Sequence, residues 1–285
     1  MVATGGPGWP WLVLLFALGL SATAAFSAIG LAGGAIVSPV LILVLGLKPR
    51  IAVGTTVVGV FAAVLSASLA YLRQKRVNVK LALLFDALDV VGVALGAYLT
   101  TVLRPELLAS ILGAFLVSSG TRIMAKAMLE LRRKEPARGG GSLVECGAVG
   151  QESPSYRLGA REFAIAVLGS LFSGLASGLL GLGGGVVDLS LMLLMGVPME
   201  VAAPTAMFGM LITRGSSVVA HVLMGNVRAE LAIPLAAGAF IGGQVGPRLF
   251  KRARPEHLKL AFSCITLALG TFLLLRSLAD LLRPR

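Results

Sequence analysis

The sequence predicts an all-α polytopic membrane protein made of two pseudo-symmetric repeats of about five segments each, the second inverted relative to the first. Three observations lead there. Apolar residues make up 56% of the 285 residues and charged ones 13%. One water-facing core of this size cannot bury so much apolar side chain, so lipid must be the solvent. The stretch Leu31 to Thr55 (LAGGAIVSPVLILVLGLKPRIAVGT) recurs without a gap, 150 residues later, as Gly181 to Thr205 (GLGGGVVDLSLMLLMGVPMEVAAPT). The basic residues behind the net charge of +12 fall between apolar runs. That is the distribution of membrane-flanking loops, and it excludes a nucleic-acid-binding face.

Met1 to Pro10 carries no Lys or Arg and so lacks the basic region of a secretory signal. Trp11 to Leu31 is expected to be the first helix, because Phe163 to Leu182 is its counterpart, with Gly19 matching Gly169 and Ser27 matching Ser177. Gly33 to Gly46 is too short to cross about 30 Å of hydrocarbon and contains Pro39, so it is expected to be broken or partly unwound. Ile51 to Leu72, Leu81 to Leu103 and Leu107 to Leu129 each have the length of roughly 20 residues that a spanning helix requires. The second repeat runs Phe163 to Leu182, a Gly-rich short segment to Val197, Val201 to Met224, Leu231 to Phe250 and Leu258 to Leu278. Further matches at the same offset include Gly46/Gly196, Thr55/Thr205, Gly92/Gly242, Gly96/Gly246 and Gly120/Gly270. The organisation read from this is a first membrane repeat at 1–130, a polar linker at 131–162 and a second repeat at 163–285.

An odd number of segments per repeat inverts the second copy, as in many transporter folds. Loop charge agrees. Arg73, Lys75, Arg76 and Lys80 crowd one hairpin of the first repeat, whereas Arg248, Lys251, Arg252, Arg254 and Lys259 crowd the other hairpin of the second. The positive-inside rule then makes these loops and the linker cytoplasmic and both termini external. Lys48, Arg50 and Glu200 run against this orientation.

Arg214 lies near the middle of an apolar segment whose counterpart has Val64. A guanidinium at that depth is costly unless it faces a cavity or a partner. It suits a fixed counter-charge for an anion, since its planar donors grip two oxygens at once, and it equally suits a structural pair with Asp188. Asp188, which replaces Ser38 of the first copy, reads as a coupling or gating group or as a cap of a short helix. Gly33, Gly34, Gly183, Gly184 and Gly185 offer bare N–H groups where a short helix begins, a place that attracts anions. Close helix packing is the other use of such glycines. Thr55, Thr56 and Thr205 can donate hydroxyls to an anion or bond their own backbone. His221, near a helix end, and Gln244 complete the coupling or gating candidates. Asp86 and Asp89 share a helix face and read as partners of Arg73 or Lys80. Cys146 and Cys264 show neither metal spacing nor a disulfide framework. No catalytic cluster, metal site or cofactor motif is found: Gly181 to Gly185 lacks the strands and Lys-Ser/Thr of a nucleotide loop.

Gly30, Gly33, Gly34, Pro39, Gly46, Pro49, Ala52, Gly54 and Thr55 form a spaced motif. Its second copy is Gly181, Gly183, Gly184, Gly185, Gly196, Pro198, Ala202, Pro204 and Thr205, followed by the turn Met224-Gly225-Asn226-Val227. This pattern resembles the TauE/SafE family, also called the sulfite exporter or TSUP family. The first copy departs from it in having Ala32 and Ala35 beside its glycine pair and Arg76 in place of Asn226. The resemblance implies transport of sulfite, an organosulfonate or another small sulfur-containing anion across the cytoplasmic (inner) membrane. With the residue reading, it leads to a secondary transporter, an exporter rather than an enzyme, moving the anion through a site between the two Gly-rich breaks. The partners implied are a small anionic substrate and membrane lipid, no nucleic acid, with a homo-oligomer left open. An anion channel, a membrane-embedded enzyme and an assembly subunit are the rival readings.

Overall fold

The computed structural model describes residues 9–47, 49–86, 88–93, 95, 105–133, 160–180 and 185–282. These form α1 (Trp9–Ser27), α2 (Gly34–Leu45), α3 (Pro49–Arg73), α4 (Val79–Asp86), α5 (Pro105–Arg133), α6 (Ala160–Leu180), α7 (Gly185–Leu194), α8 (Met199–Leu223), α9 (Ala229–Arg252) and α10 (Pro255–Leu282). A further helical run lies at 89–93, and no strand occurs among the described residues. Trp9–Ser27, Ile51–Arg73, Met199–Leu223, Ala229–Arg252 and Pro255–Leu275 are long and apolar enough to cross a membrane. At about 1.5 Å per residue, each comes close to or exceeds the roughly 30 Å hydrocarbon thickness. The chain is an all-α, multi-pass membrane protein.

Three helices open on proline, at Pro49, Pro105 and Pro255. Proline lacks an N–H that the first helical position does not use, and its φ is already helical. Helix starts recur at the 150-residue offset: Pro49 and Met199, Val79 and Ala229, Pro105 and Pro255. The α3 and α8 helices have 25 residues each. The short segment differs from the sequence expectation. It is not unwound at Pro39; α2 is helical for 12 residues. The interruptions lie at its ends, where Gly33 (φ 74) and Gly46 (φ 61) take left-handed conformations and the Gly46 N–H closes on Leu41 O.

The helices gather into two compact units, Met1–Lys75 with Met207–Arg252, and Arg76–Ala206 with Ala253–Arg285. In the first unit α1 and α3 both pack on α9. Lipid supplies no hydrophobic drive to helix pairing, so close approach through small residues must do so. Along the α1–α9 seam a methyl on Gly242 would stand 2.5 Å from Leu20 O, and one on Gly238 would strike Phe16 O. On the α3 side, a methyl on Gly243 would stand 2.6 Å from Ala63 O. Polar side chains fasten what the glycines admit. The Thr23 hydroxyl lies 2.6 Å from Gly19 O and 3.1 Å from Ala239 O. Tyr71 donates to Ser27 O at 2.8 Å and meets Phe250 edge-on at 5.6 Å. The α2 helix is set into this unit by Val37, Leu41 and Leu45, which cluster with Leu15, Ala52, Leu231 and Leu235.

In the second unit α5 pairs with α10, and α7 packs on α5 and α6. The α5–α10 seam is again glycine-lined: a methyl on Gly113 would stand 3.0 Å from Gly270 O, and one on Gly270 2.8 Å from Val117 N. Gly185 to Ser190 are all buried, as are Met192 and Leu193, so α7 is enclosed on nearly every side.

Candidate functional site

In the first unit, Gly33 and Gly34 begin α2. A methyl on Gly33 would lie 3.2 Å from Ala22 O, and one on Gly34 2.8 Å from Val60 Cγ2, so both glycines let α2 close on α1 and α3. Ser38 is half-buried on α2. Thr55 and Thr56 are buried near the start of α3. The Thr55 hydroxyl accepts the Arg228 N–H at 3.5 Å, and a methyl on neighbouring Gly54 would strike Asn226 O. The α8–α9 turn thus rests on the first turns of α3. The Thr56 hydroxyl is buried without a hydrogen-bond partner.

Arg214 is 7% exposed in the middle of α8. His221 sits in the last turn of that helix, half-buried, with its Nδ1 unpartnered. Its carbonyl accepts the Asn226 N–H at 3.0 Å, closing a turn in which Gly225 has φ 67. Gln244 is used structurally, since its Nε2 donates to Ser66 O at 2.9 Å while Ser66 Oγ donates to Phe240 O at 2.5 Å. Together the two bonds lock α3 to α9.

In the second unit, Gly183 and Gly184 lie outside the described residues. Gly185 is the buried first residue of α7, and Asp188 follows one turn later at 6% exposure. Thr205 is fully buried, and its hydroxyl accepts the Asn78 N–H at 3.1 Å. Asn78 in turn caps α4, its Oδ1 accepting the Leu81 N–H at 3.0 Å. The Thr205–Asn78 bond is the counterpart, at an offset of 150, of Thr55–Arg228. In both places a threonine that follows the Gly/Pro turn holds the backbone of a hairpin from the other half of the sequence.

Asp86 and Asp89 differ from the sequence expectation. Arg73 and Lys80 are exposed, whereas Asp86 is 6% and Asp89 1% exposed. The two aspartates and Ser173 of α6 are the groups whose charge and dipole act on Asp188. Sequence reading missed this convergence. The available signals were the three-residue spacing of Asp86 and Asp89 and that of Ser170 and Ser173, each placing two polar groups on one helix face. Among the described residues no three acids, histidines or cysteines are placed to share a metal ion. What the arrangement offers is a buried guanidinium in one unit and, in the other, buried acids together with a buried lysine, Lys259.

The model of the family described as sulfite exporter TauE/SafE matches residues 15–273. The chain belongs to that family. Among its relatives, the "Probable membrane transporter protein YunE" of Bacillus subtilis (strain 168) is 27% identical over 266 residues, 90% of this chain and 95% of that protein. The "Sulfite exporter TauE/SafE family protein 3" of Arabidopsis thaliana is 37% identical over 82 residues, 29% of this chain and 17% of that protein. No solved structure matches the chain. This TauE/SafE protein is a membrane transporter and not an enzyme.

Proposed function

We propose that this protein is a secondary transporter that exports a small sulfur-containing anion, sulfite or an organosulfonate, across the cytoplasmic membrane. The observation that carries the reading is Arg214: a guanidinium only 7% exposed, at mid-helix, in a chain of the sulfite exporter family. A cation held at that depth is costly to keep, and a planar fork of donors matches the oxygens of a sulfite or sulfonate group. The buried Thr56 hydroxyl in the same unit, unpartnered, is available as a further donor. In this reading the two halves are inverted copies, with the linker cytoplasmic and both termini outside. The recurrence of helix starts and of the threonine-to-hairpin bond at one offset supports duplication.

Proteoliposomes holding only the purified protein test it. Sulfite, sulfate and sulfoacetate are offered in turn, and uptake of at least one sulfur anion above empty vesicles is expected. Uptake of none of them, by protein that is folded and inserted, would overturn the proposal.

A further inference from the structure

The helices α3 and α9 of the first unit run parallel. Their contacts advance together along both, from Gly59 against Leu235, through Ala63 against Gly243, to Tyr71 against Phe250. The last turns are tied as well, since Gln74 Nε2 donates to Pro247 O at 3.4 Å. Two helix C-termini, one from each half of the sequence, therefore end side by side. Arg73 and Lys75 stand at the end of α3, and Arg248, Lys251 and Arg252 at the end of α9, all five of them exposed.

Membrane-flanking loops are commonly basic, and helix C-termini favour cations, so each group alone has an ordinary explanation. Together they exceed it. Two C-termini present about one elementary negative charge in all, roughly half a charge each, against five positive ones. Among the described residues none of the five pairs with an acid. The single acid of this unit, Glu230, is the second residue of α9 and lies about 33 Å of helix away from Arg252. It already pairs with Arg228 at 3.7 Å. The Gln74–Pro247 and Tyr71–Phe250 contacts thus hold five like charges at one place against their own repulsion.

The surroundings decide which anion answers them. Within about one turn of the charges, Leu69 and Leu72 of α3 and Leu249 of α9 are exposed, at 41%, 38% and 48%. A soluble anion has no use for an apolar rest beside its site. A phospholipid brings a phosphate at the aqueous boundary and acyl chains directly beneath it. Both helices are long and apolar enough to span the membrane, so their ends stand at the level of the head groups. Basic clusters at that level attract anionic lipids.

We propose that the adjoining ends of α3 and α9 bind an anionic phospholipid, its phosphate among Arg73, Lys75, Arg248, Lys251 and Arg252 and its chains on the neighbouring leucines. The bound lipid neutralises the crowded cations and so stabilises the α3–α9 pair. This holds whatever the protein transports. Full-length protein, purified in a neutral detergent and stripped of lipid, is titrated with phosphatidylglycerol or phosphatidylcholine. Native mass spectrometry counts the bound lipid, and thermal unfolding follows stability. Phosphatidylglycerol should be retained and should raise the unfolding midpoint; phosphatidylcholine should do neither. Arg73→Gln with Lys251→Gln should weaken retention about thirtyfold and remove most of the stabilisation. Without lipid that pair should unfold no earlier than wild type, because it removes repulsion. Arg122→Gln with Lys126→Gln, an equal loss of exposed charge on α5, should change neither reading.

Equal retention of the two lipids, or equal weakening by the two pairs of substitutions, would reduce the effect to diffuse attraction and overturn the site. A lower lipid-free midpoint for Arg73→Gln with Lys251→Gln would overturn the repulsion that the lipid is proposed to relieve. Inorganic phosphate or glycerol phosphate that stabilised as well as the lipid would make this a site for a soluble anion and defeat the lipid assignment.

Discussion

Thr205→Val separates a structural from a substrate-binding use of the threonines, and the structure sets its size. Valine keeps the shape and removes the oxygen that accepts the Asn78 N–H at 3.1 Å. Asn78 is 6% exposed, so water cannot replace the lost partner. A buried donor left unsatisfied costs about 1–3 kcal/mol, and the lower end applies in lipid, where substitute partners are found. Because Asn78 also caps α4, any shift of its backbone adds part of a cap's roughly 1 kcal/mol. The expected loss is about 1–2 kcal/mol. Thr55→Val removes a bond of 3.5 Å to the half-exposed Arg228, so it should cost less than about 0.5 kcal/mol. Equilibrium unfolding in mixed detergent micelles measures both, with Thr205→Ser as the variant that keeps the oxygen and restores stability. If Thr205→Val proved as stable as wild type yet lost anion uptake, the hydroxyl would be acting on substrate and the clamp argument would be wrong.

Arg214→Gln should weaken anion binding by about tenfold to a hundredfold, the worth of a charged hydrogen bond. Arg214→Lys should recover only part of it, since an ammonium lacks the fork; binding of a labelled sulfonate to the solubilised variants reads this, and full recovery by lysine would remove the bidentate argument. Gly242→Leu should prevent the α1–α9 seam from closing, because the side chain would enter Leu20 O and Thr23 Oγ1. Gly215→Ala meets only the Phe61 ring, at 3.5 Å, and should gain up to about 1 kcal/mol from helix propensity. Monodispersity on size exclusion and micellar unfolding distinguish the two, and the seam reading fails if leucine is tolerated. Single cysteines at Arg76 and Asn226 should label from opposite faces of right-side-out vesicles, with 226 accessible from outside; labelling from one face would end the inverted arrangement.

Which parts of this are legible in the sequence follows from what kind of information each part needs. Helix positions need only apolar length and punctuation: the segments expected from Ile51, Leu107 and Leu258 are helical and begin slightly earlier, on Pro49, Pro105 and Pro255. The short helix is located correctly by hydropathy, but Pro39 draws the expected interruption to the wrong place. The positive-φ residues at its two ends are Gly33 and Gly46, whose left-handed conformations no hydropathy pattern displays. The site is harder, because periodicity tells which residues share a face and not what that face meets. Spacing puts Asp86 and Asp89 together, and the nearest opposite charges in sequence, Arg73 and Lys80, supply the obvious partners. What overrides that inference is the contact of Gly92 with Gly174, two residues without side chains and 82 positions apart in sequence. Their backbones meet, which sets Asp89 against α6, and both aspartates are buried. On the proposed duplication, Gly92 aligns with Gly242, and position 174 with Ala24, which borders Gly242 in the first unit. A repeat read as a register of contacts, and not only as a register of residues, places 92 against 174. With the Ala24–Gly242 contact of the first unit in hand, it draws Asp89 to α6.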